Sequence, residues 1–448
     1  MPIANDLKRQ IGLRSAIALV VGEVIAVGIF LTPAGMAKSL GSPFWLLIVW
    51  LLMGAMAASG ALCYGELAAR FPEAGGGYVY LREAFGRPFA FLYGWMALLV
   101  MDPGLTAALA VGIATYLGYI SNLSPIAIKA TAVGSIIILA MINISGVRIG
   151  AGFLRWLTIL KLGLLAFILM WGFGFRLGSW SNFAPFIAQR SNSAPLLPAL
   201  AGGLVAAFFS FGGWWDVTKV AGEVREPART LPRALIYGVA IVTVVYILTS
   251  AAFLYLVPVE SVSSGETFVA QAGQMLFGRA GGKIFAAIVV VTVVGSLAAI
   301  IMSSPRVYFA MARDGLFIPA VAAINPRFGT PARAIALQAV LASLLVVLGS
   351  FNQIISYFIF VVVIFVALTV AALFVLRRNK QPGYLTPGYP FTPIIFLSLV
   401  ALILFLLASN NPKQAFLGAA VVALGIPVYY LFFRDGHSSL IDRGTKSL

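Results

Sequence analysis

Apolar runs of about 20 residues recur along the whole chain, and they restrict the fold more than any other feature of the sequence. Of the 448 residues, 61% are hydrophobic and 10% are charged, and the mean hydropathy is +1.00. Soluble domains carry about 25% charged residues. Backbone polar groups in a bilayer must be hydrogen-bonded within the protein, so repeated apolar runs predict spanning helices. We therefore predict an all-α polytopic membrane protein in which residues 1–448 form one transmembrane domain, without a separate soluble domain.

The apolar runs divide into about twelve predicted membrane spans. They cover residues 13–37, 43–69, 89–119, 126–146, 150–174, 197–222, 233–257, 281–310, 332–350, 353–376, 391–408 and 414–433. The lysine and arginine residues other than Lys161 are distributed unevenly, with 22 assigned to one side and 7 to the other. Since such residues concentrate in cytoplasmic loops, the asymmetry predicts that both termini are cytoplasmic.

The net charge of +16 does not indicate a nucleic-acid partner, because the basic residues cluster in alternate loops, where they set membrane orientation. Cys63 is the only cysteine and His437 the only histidine. A single cysteine excludes an internal disulfide, and the composition predicts no His/Cys metal centre. No cofactor is predicted. An enzyme is not predicted either, because no His/Ser/Asp constellation lies within the spans.

Two predicted spans are interrupted by glycine. Residues 208–215 read Phe-Phe-Ser-Phe-Gly-Gly-Trp-Trp, in which Gly212 and Gly213 each cost about 1 kcal/mol relative to alanine in a helix. Residues 27–30 read Val-Gly-Ile-Phe, and Thr-Pro follows shortly after. Such a pair of interrupted apolar segments, one opening each half of the chain, indicates a transporter binding site. Close helix packing is the alternative explanation for the glycine pair.

Three polar stretches fall on the predicted cytoplasmic side. Residues 70–87 are rich in Gly and Pro but lack the Walker spacing and its Lys-Ser/Thr pair, so we predict a structural or gating loop rather than a nucleotide site. Residues 221–232 and 303–315 are charged and suit an inner gate. A solvated loop that only fixes topology is the alternative for both.

Taken in order, several stretches resemble the amino acid–polyamine–organocation superfamily and, within it, the L-type amino acid transporters. The resemblance covers nearly the whole chain. It rests on residues 24–30 (Val-Ile-Ala-Val-Gly-Ile-Phe), 64–67 (Tyr-Gly-Glu-Leu), 72–78 (Pro-Glu-Ala-Gly-Gly-Gly-Tyr), 209–214 (Phe-Ser-Phe-Gly-Gly-Trp), 311–315 and 427–430, and on Glu223 with Pro227 and Pro232. It implies a leucine-transporter-like fold with two inverted five-helix repeats, residues 12–174 and 197–376, and two additional helices in 391–433.

The resemblance also implies the substrate contacts. A helix broken within the membrane frees backbone N–H and C=O groups, and this is tolerated where the backbone lines a cavity. The first break is expected to bind a carboxylate through the N–H groups of Ala26, Val27 and Gly28. The second is expected to bind an ammonium group through the carbonyls of Phe209, Ser210 and Phe211. Trp214 and Phe211 are expected to cover the substrate, and Ile29 and Gly212 complete the predicted set.

This chain departs from the family at the first break. The family usually has Gly-Ser-Gly where this chain has Ala26-Val27-Gly28. The change removes a hydroxyl donor and adds a side chain that is bulkier and stiffer at χ1. The backbone N–H groups are unaffected, so the departure bears on the size of the substrate and on its affinity.

Lys161 lies near the centre of the fifth predicted span, about 16 Å from its start at 1.5 Å per residue. A lysine there is costly unless it is paired or neutral. In sodium-coupled relatives a cation sits between the first and eighth spans, and in sodium-independent relatives a matching lysine occupies that place. The resemblance therefore implies that Lys161 replaces sodium and contacts first-span carbonyls and Ser303 or Ser304. A purely structural lysine is the alternative.

Three acidic residues lie within predicted spans. Asp102 belongs to a Met-Asp-Pro-Gly sequence, where it would favour a cationic substrate or proton coupling, or would bond N–H groups freed by the proline and glycine. Glu23 precedes the first break by one turn and is a candidate partner for a cation. Asp216 is a further candidate, unless it pairs with Lys219 three residues later.

The expected function is sodium-independent transport of small or medium neutral L-amino acids by alternating access, as an exchanger or with proton coupling. A cationic amino acid or polyamine transporter is the alternative, motivated by the acids. An ion channel is more distant, because the sequence has neither a filter signature nor a single-pore repeat.

The expected partners are an amino acid and the lipid membrane. Eukaryotic L-type light chains use an external cysteine between the third and fourth spans to bind a heavy chain. Here residues 121–125 read Ser-Asn-Leu-Ser-Pro, so no disulfide-linked heavy chain is expected.

Overall fold

The computed structural model describes residues 7–26, 28–261, 268–348, 351–378, 383–410 and 412–434. Over these residues the chain is helical, and the only bridge of β type is an isolated one between Ile11 and Val224. The α-helices are α1 (Leu13–Val24), α2 (Gly28–Leu40), α3 (Pro43–Arg70), α4 (Gly77–Phe85), α5 (Arg87–Met96), α6 (Asp102–Ser121), α7 (Pro125–Ile144), α8 (Val147–Gly174), α9 (Leu196–Phe211), α10 (Pro227–Leu256), α11 (Phe268–Ser303), α12 (Pro305–Arg313), α13 (Ala332–Leu348), α14 (Phe351–Leu376), α15 (Phe391–Asn410) and α16 (Pro412–Phe432).

Short helices of other types connect some of these elements. A π-helical turn, Ala97–Met101, joins α5 to α6. The described 3-10 helices are Trp180–Phe183, Asp216–Glu223, Val259–Ser261 and Pro319–Ala322.

Eight described segments are long and apolar enough to cross a membrane. They are Pro43–Arg70, Arg87–Ser121, Pro125–Ile144, Val147–Gly174, Leu196–Glu223, Pro227–Leu256, Ala280–Arg313 and Phe391–Ser409. Three shorter apolar helices are Ala332–Leu348, Phe360–Leu376 and Phe416–Phe432. The prediction of a polytopic helical membrane protein is therefore confirmed.

The helices pack around a central group. Within an 18-residue apolar stretch of Arg87–Ser121, 78% is buried, whereas the corresponding stretch of Pro125–Ile144 is only 22% buried, so α6 lies inside the bundle and α7 at its periphery. Within the bundle, α10 packs along α3, α6 packs against α11, α1 packs against α10 and α8, and α2 packs against α9. α11, which packs against α6, also contacts α1 and α2, so the helices on both sides of the first glycine interruption lie next to the buried helices.

The first predicted span, 13–37, is two helices rather than one. α1 ends at Val24, and Ile25 has ψ 80°, which is outside the helical range. α2 begins at Gly28. A β-carbon on Gly28 would lie 2.8 Å from Cα of Ser210, so glycine is required for the two interrupted segments to approach this closely. Val27, predicted to contact the substrate, lies outside the described residues.

The second glycine interruption also ends a helix. α9 stops at Phe211 because Gly212 is extended (φ −53°, ψ 145°), and Gly213 has φ +99°, which side chains other than glycine rarely adopt. The chain resumes as the 3-10 helix Asp216–Glu223. The glycine pair therefore breaks the helix, rather than serving close packing between continuous helices.

Residues 70–87, predicted as a loop, contain the helix α4. Its Tyr78 and Tyr80 are fully buried, so this stretch is part of the packed bundle. Hydropathy did not indicate this helix, because it is short and is flanked by glycine, proline and charged residues.

Candidate functional site

A cavity of about 50 Å³ lies where the two helix breaks meet. Its lining comes from three regions, which are the two breaks and the segment from Met101 to Leu109 at the start of α6. One further residue comes from α14. The lining residues are Glu23, Val24, Ala26, Gly28, Met101, Asp102, Leu105, Leu109, Phe208, Phe209, Ser210, Gly212, Gly213, Trp215, Asp216 and Val362. Of the residues predicted to bind substrate, five therefore line one cavity: Ala26, Gly28, Phe209, Ser210 and Gly212.

Two hydroxyl groups hold the breaks together. The hydroxyl of Tyr246, in α10, lies 2.6 Å from the carbonyl oxygen of Val24 and 2.7 Å from that of Ser210. The hydroxyl of Thr32 lies 2.9 Å from the Gly28 carbonyl and 2.9 Å from Oγ of Ser210. Both contacts connect the first break to the second, and neither Tyr246 nor Thr32 was predicted to belong to the site.

Some backbone groups expected to bind substrate already have partners. The N–H of Ala26 donates to the carbonyl of Val24 at 2.8 Å. The carbonyl of Phe209 accepts from the N–H of Gly212 at 3.2 Å, and the carbonyl of Ser210 accepts from Tyr246. Gly28 begins α2, whose first N–H groups have no acceptor within the helix, so this end of α2 suits an anion.

The aromatic wall differs from the expected one. Trp214 and Phe211 do not line the cavity; Trp214 packs against Tyr64 with ring centroids 5.1 Å apart, and Phe211 packs against Tyr246 at 5.0 Å. Phe208, Phe209 and Trp215 line it instead. The tryptophan that lines the cavity is therefore Trp215, one residue after the Trp214 that the resemblance implied. Ile29 is fully buried beside the cavity but is not part of its lining.

Lys161, in α8, contacts the end of α1 at the first break. Its ammonium nitrogen donates to the carbonyls of Gly22 at 3.0 Å and Ile25 at 2.8 Å, and to Oγ of Ser296 at 3.2 Å. The side chain is fully buried. The expected contact with first-span carbonyls is present, but the hydroxyl partner is Ser296, which lies two helical turns before Ser303.

Ser303 and Ser304 instead contact charged groups. The hydroxyl of Ser303 donates to Oε1 of Glu23, and Oγ of Ser304 lies 3.4 Å from the ammonium nitrogen of Lys219. Ser303 is the last residue of α11 and Ser304 follows it, so these contacts lie about two helical turns beyond Ser296, the hydroxyl partner of Lys161.

Asp102 forms the centre of a buried ionic network. Its Oδ1 lies 2.9 Å from Nζ of Lys219, and its Oδ2 accepts from the hydroxyl of Tyr308 at 3.0 Å. Lys219 also pairs with Asp216 at 3.0 Å, as the spacing of three residues suggested. The carboxylate of Asp102 therefore bonds a lysine and a tyrosine, whereas capping of the N–H groups near Pro103 was the structural alternative.

The network corrects the assignment of Lys219. Lys219 was one of the 22 basic residues assigned to the predicted cytoplasmic side, but its side chain is 1% exposed. Glu223 and Arg225 follow Lys219 closely in the sequence, so the sequence did not indicate that this lysine is buried against α6. Only the packing of the 3-10 helix Asp216–Glu223 identifies it as part of the site.

A second buried ion pair lies beyond the cavity, on the side that carries the N-terminal segment. Nε of Arg306 lies 2.8 Å from Oε1 of Glu223, and a second guanidinium nitrogen lies 3.1 Å from Oε2. The N–H groups of Gln10 and Ile11 donate to the Glu223 carbonyl at 2.8 and 2.9 Å, and the Arg225 N–H donates to the Ile11 carbonyl at 2.8 Å. These contacts close the bundle here, so neither Glu223 nor Arg306 lies in a solvated loop.

Asp314 accepts further hydrogen bonds at the same end of the bundle. It accepts from Arg82 at 2.7 Å and from the Tyr78 hydroxyl at 2.8 Å. Burial opposes the charge of Arg82, but hydrogen bonds to Asp314 and Glu73 raise its pKa above the ordinary value. Arg82 is therefore a permanent cation that joins α4 to the end of α12.

No group of three or more His, Cys, Asp or Glu side chains with the arrangement of a metal site occurs among the described residues. The polar groups that line the cavity are backbone groups, the hydroxyl of Ser210 and three carboxylates, two of which pair with Lys219. This combination suits binding of a small charged or zwitterionic molecule.

The chain is similar to known amino acid permeases and transporters. The profile of the amino acid permease family matches residues 11–433. The chain is 31% identical to the serine/threonine exchanger SteT of Bacillus subtilis over 95% of this chain and 97% of that one. It is also 31% identical to the mouse large neutral amino acids transporter small subunit 2, covering 95% of this chain and 81% of the relative. Identity to the mouse b(0,+)-type amino acid transporter 1 is 28%, over 98% and 91% of the two chains.

Proposed function

This chain belongs to the amino acid permease family of the amino acid–polyamine–organocation superfamily, a family of membrane transporters rather than enzymes. From that premise we propose that it transports small or medium neutral L-amino acids without sodium, by alternating access. The transport is exchange or proton-coupled. The observation that carries the proposal is one cavity lined by both helix breaks, by Gly28 at the start of α2 and by three carboxylates.

We propose a leucine-transporter-like architecture. In it, the pair α1 and α2 together cross the membrane once, which with the eight long and three shorter apolar segments makes twelve spans. Residues 12–174 and 197–376 are the two inverted repeats, and residues 391–433 supply two additional helices. The equivalent positions of the breaks, in the first span of each half, support this arrangement. Both termini are on the cytoplasmic side in this proposal.

The substrate would lie between the breaks. The start of α2 at Gly28, with the adjacent N–H groups, would bind the carboxylate, because the first turn of a helix has free N–H groups and a positive partial charge. A water molecule needs about 10–15 Å³ of cavity volume. A cavity of about 50 Å³ therefore suits a small side chain better than a large one.

Lys161 supports sodium independence. Its ammonium group bonds the carbonyls of Gly22 and Ile25 at the first break, which are oxygen ligands of the kind that sodium uses. A fixed positive charge at this position would stabilise the broken helix in the absence of sodium.

The alternative, a cationic amino acid or polyamine transporter, is supported by the three carboxylates that line the cavity. Two of them, Asp102 and Asp216, already pair with Lys219, which reduces the negative charge available to a second cationic group on the substrate. We therefore favour a neutral side chain. An ion channel remains the distant alternative, and single-channel conductance steps in a planar bilayer would favour it.

We propose that the chain works without a disulfide-linked heavy chain. The loop between α6 and α7 contains no cysteine, and Cys63 is buried within α3. The amino acid and the lipid membrane are the partners that the proposal requires.

Counterflow in proteoliposomes tests the proposed function. Vesicles containing the full-length chain are preloaded with mixed amino acids and diluted into buffer without sodium and without a pH gradient, and each labelled amino acid is offered outside. We expect accumulation of small neutral amino acids that unlabelled ones compete away. Accumulation only of arginine, lysine or a polyamine would establish the alternative, and accumulation only with added sodium would contradict the role of Lys161.

A further inference from the structure

The cavity carries an excess of negative charge. Glu23, Asp102 and Asp216 all line it, and their exposures are 6%, 1% and 3%. Lys219 forms ion pairs with Asp102 and Asp216 but not with Glu23. One ammonium group thus serves two of the three carboxylates, and Glu23 has no lysine or arginine ion-pair partner among the described residues.

The side chain of Glu23 is only half satisfied. Oε1 accepts from the hydroxyl of Ser303, whereas Oε2 is buried and has no hydrogen-bond partner within the described part of the chain. The other buried lysine near the first break, Lys161, directs its ammonium group to backbone carbonyls and Ser296. A buried carboxylate is unfavourable unless its oxygens are hydrogen-bonded or paired with a cation.

Glu23 also faces the second break. A β-carbon on Gly213 would lie 3.4 Å from Cβ of Glu23 and 3.9 Å from its Oε2, so this carboxylate lies directly beside the segment that ends α9. The nearby carbonyls of Phe209 and Ser210 already accept hydrogen bonds from Gly212 and Tyr246. Oε2 of Glu23 is therefore a strong acceptor beside both breaks that has neither a donor nor an ion-pair partner among the described residues. Oδ1 of Asp216 also has no hydrogen bond there, but it pairs with Lys219 at 3.0 Å.

We propose that Oε2 of Glu23 accepts a hydrogen bond from the ammonium group of the transported molecule, so that the ligand must carry an ammonium group. The inference rests on the proposed function and names the acceptor within that site. A primary ammonium group has three donors, of which Glu23 takes one. A hydrogen bond between ionised partners is about twice as strong as one between neutral groups, so Glu23 supplies a large share of the affinity.

Three probes of similar size separate the two charges of an amino acid. They are L-alanine, ethylamine, which has the ammonium group alone, and propionate, which has the carboxylate alone. Equilibrium binding of each is measured by calorimetry on the purified full-length chain, with Glu23→Gln as the test variant and Glu226→Gln as the control. Glu226 is 77% exposed on its side chain, so the control makes the same chemical change away from the cavity.

We expect Glu23→Gln to weaken binding of L-alanine and ethylamine by about 10- to 100-fold, the range of a hydrogen bond to a charged group. Binding of propionate should be unchanged. Glu23→Asp retains a carboxylate and should recover part of the ethylamine affinity, which a structural role of the longer side chain would not predict. Glu226→Gln should bind all three probes as the wild type does.

Four outcomes would overturn the inference. They are unchanged ethylamine and alanine binding in Glu23→Gln, an equal loss for propionate, no ethylamine binding by the wild type, and a variant that loses only the pH dependence of alanine binding. The last would make Glu23 a proton site. Failure of the proposed function is distinguishable, because a chain that gives no amino acid counterflow but binds ethylamine through Glu23 keeps the ammonium site and loses only the transport assignment.

Discussion

Substitution of Lys161 by methionine tests the role of the buried ammonium group most directly. Methionine has a similar length and no donor, so the cavity that the side chain fills is nearly preserved. The carbonyl of Ile25 would retain its hydrogen bond from Ser296 at 3.0 Å. The carbonyl of Gly22 would lose the donor that lies 3.0 Å away, and a buried acceptor without a partner costs about 1–3 kcal/mol.

That cost falls on the residues that end α1, so it should destabilise the broken conformation that forms the site. With 1.4 kcal/mol for each factor of ten, we expect sodium-free counterflow to fall by about 10- to 100-fold. Folding should be affected less, since removal of a buried charge offsets part of the lost hydrogen bonding.

The assay is counterflow of the identified amino acid in proteoliposomes, with the melting temperature of each purified variant measured in parallel. Ser296→Ala is the matched control, because it removes the more distant partner at 3.2 Å and leaves both carbonyl contacts of Lys161. It should retain most of the activity. Wild-type rates in Lys161→Met without sodium would refute the reasoning.

Three further substitutions test other contacts. Tyr246→Phe removes the donor shared by Val24 and Ser210, and should weaken substrate binding about 10-fold in competition with labelled amino acid. Arg306→Gln leaves Glu223 buried without its cation and should cost about 3–5 kcal/mol, seen as a lower melting temperature, whereas Arg229→Gln, with a side chain that is 79% exposed, should change little. Gly28→Ala places a carbon 2.8 Å from Cα of Ser210 and should abolish transport without loss of expression, whereas Gly35→Ala, in the same helix but with open space around it, should transport normally.

The two breaks could be predicted from the sequence because glycine inside an apolar run is a local signal. The structure interrupts the helices at the predicted places, and the positive φ of Gly213 gives the physical reason in the second. Most of the polar cavity lining follows from position relative to these breaks, so Gly28, Ser210 and Glu23 were identified in advance.

The ionic network could not be predicted in the same way. Asp102 and Lys219 are separated by 117 residues, and neither the hydropathy nor the spacing of either residue identifies the other. Lys219 was counted among the basic residues of the predicted cytoplasmic side, although the 3-10 helix Asp216–Glu223 buries it against α6. The sequence also could not show that Trp215 rather than Trp214 lines the cavity, because this depends on the backbone angles of Gly212 and Gly213.

The contacts around Glu223 have a kinetic consequence. Its side chain binds Arg306, while its carbonyl accepts two N–H groups from the N-terminal segment. If this side opens by moving residues 216–223, the ionic contact and the backbone contacts must separate together. Opening would then be a cooperative event with a large activation enthalpy, so cooling should slow turnover far more than it changes equilibrium affinity for the transported molecule.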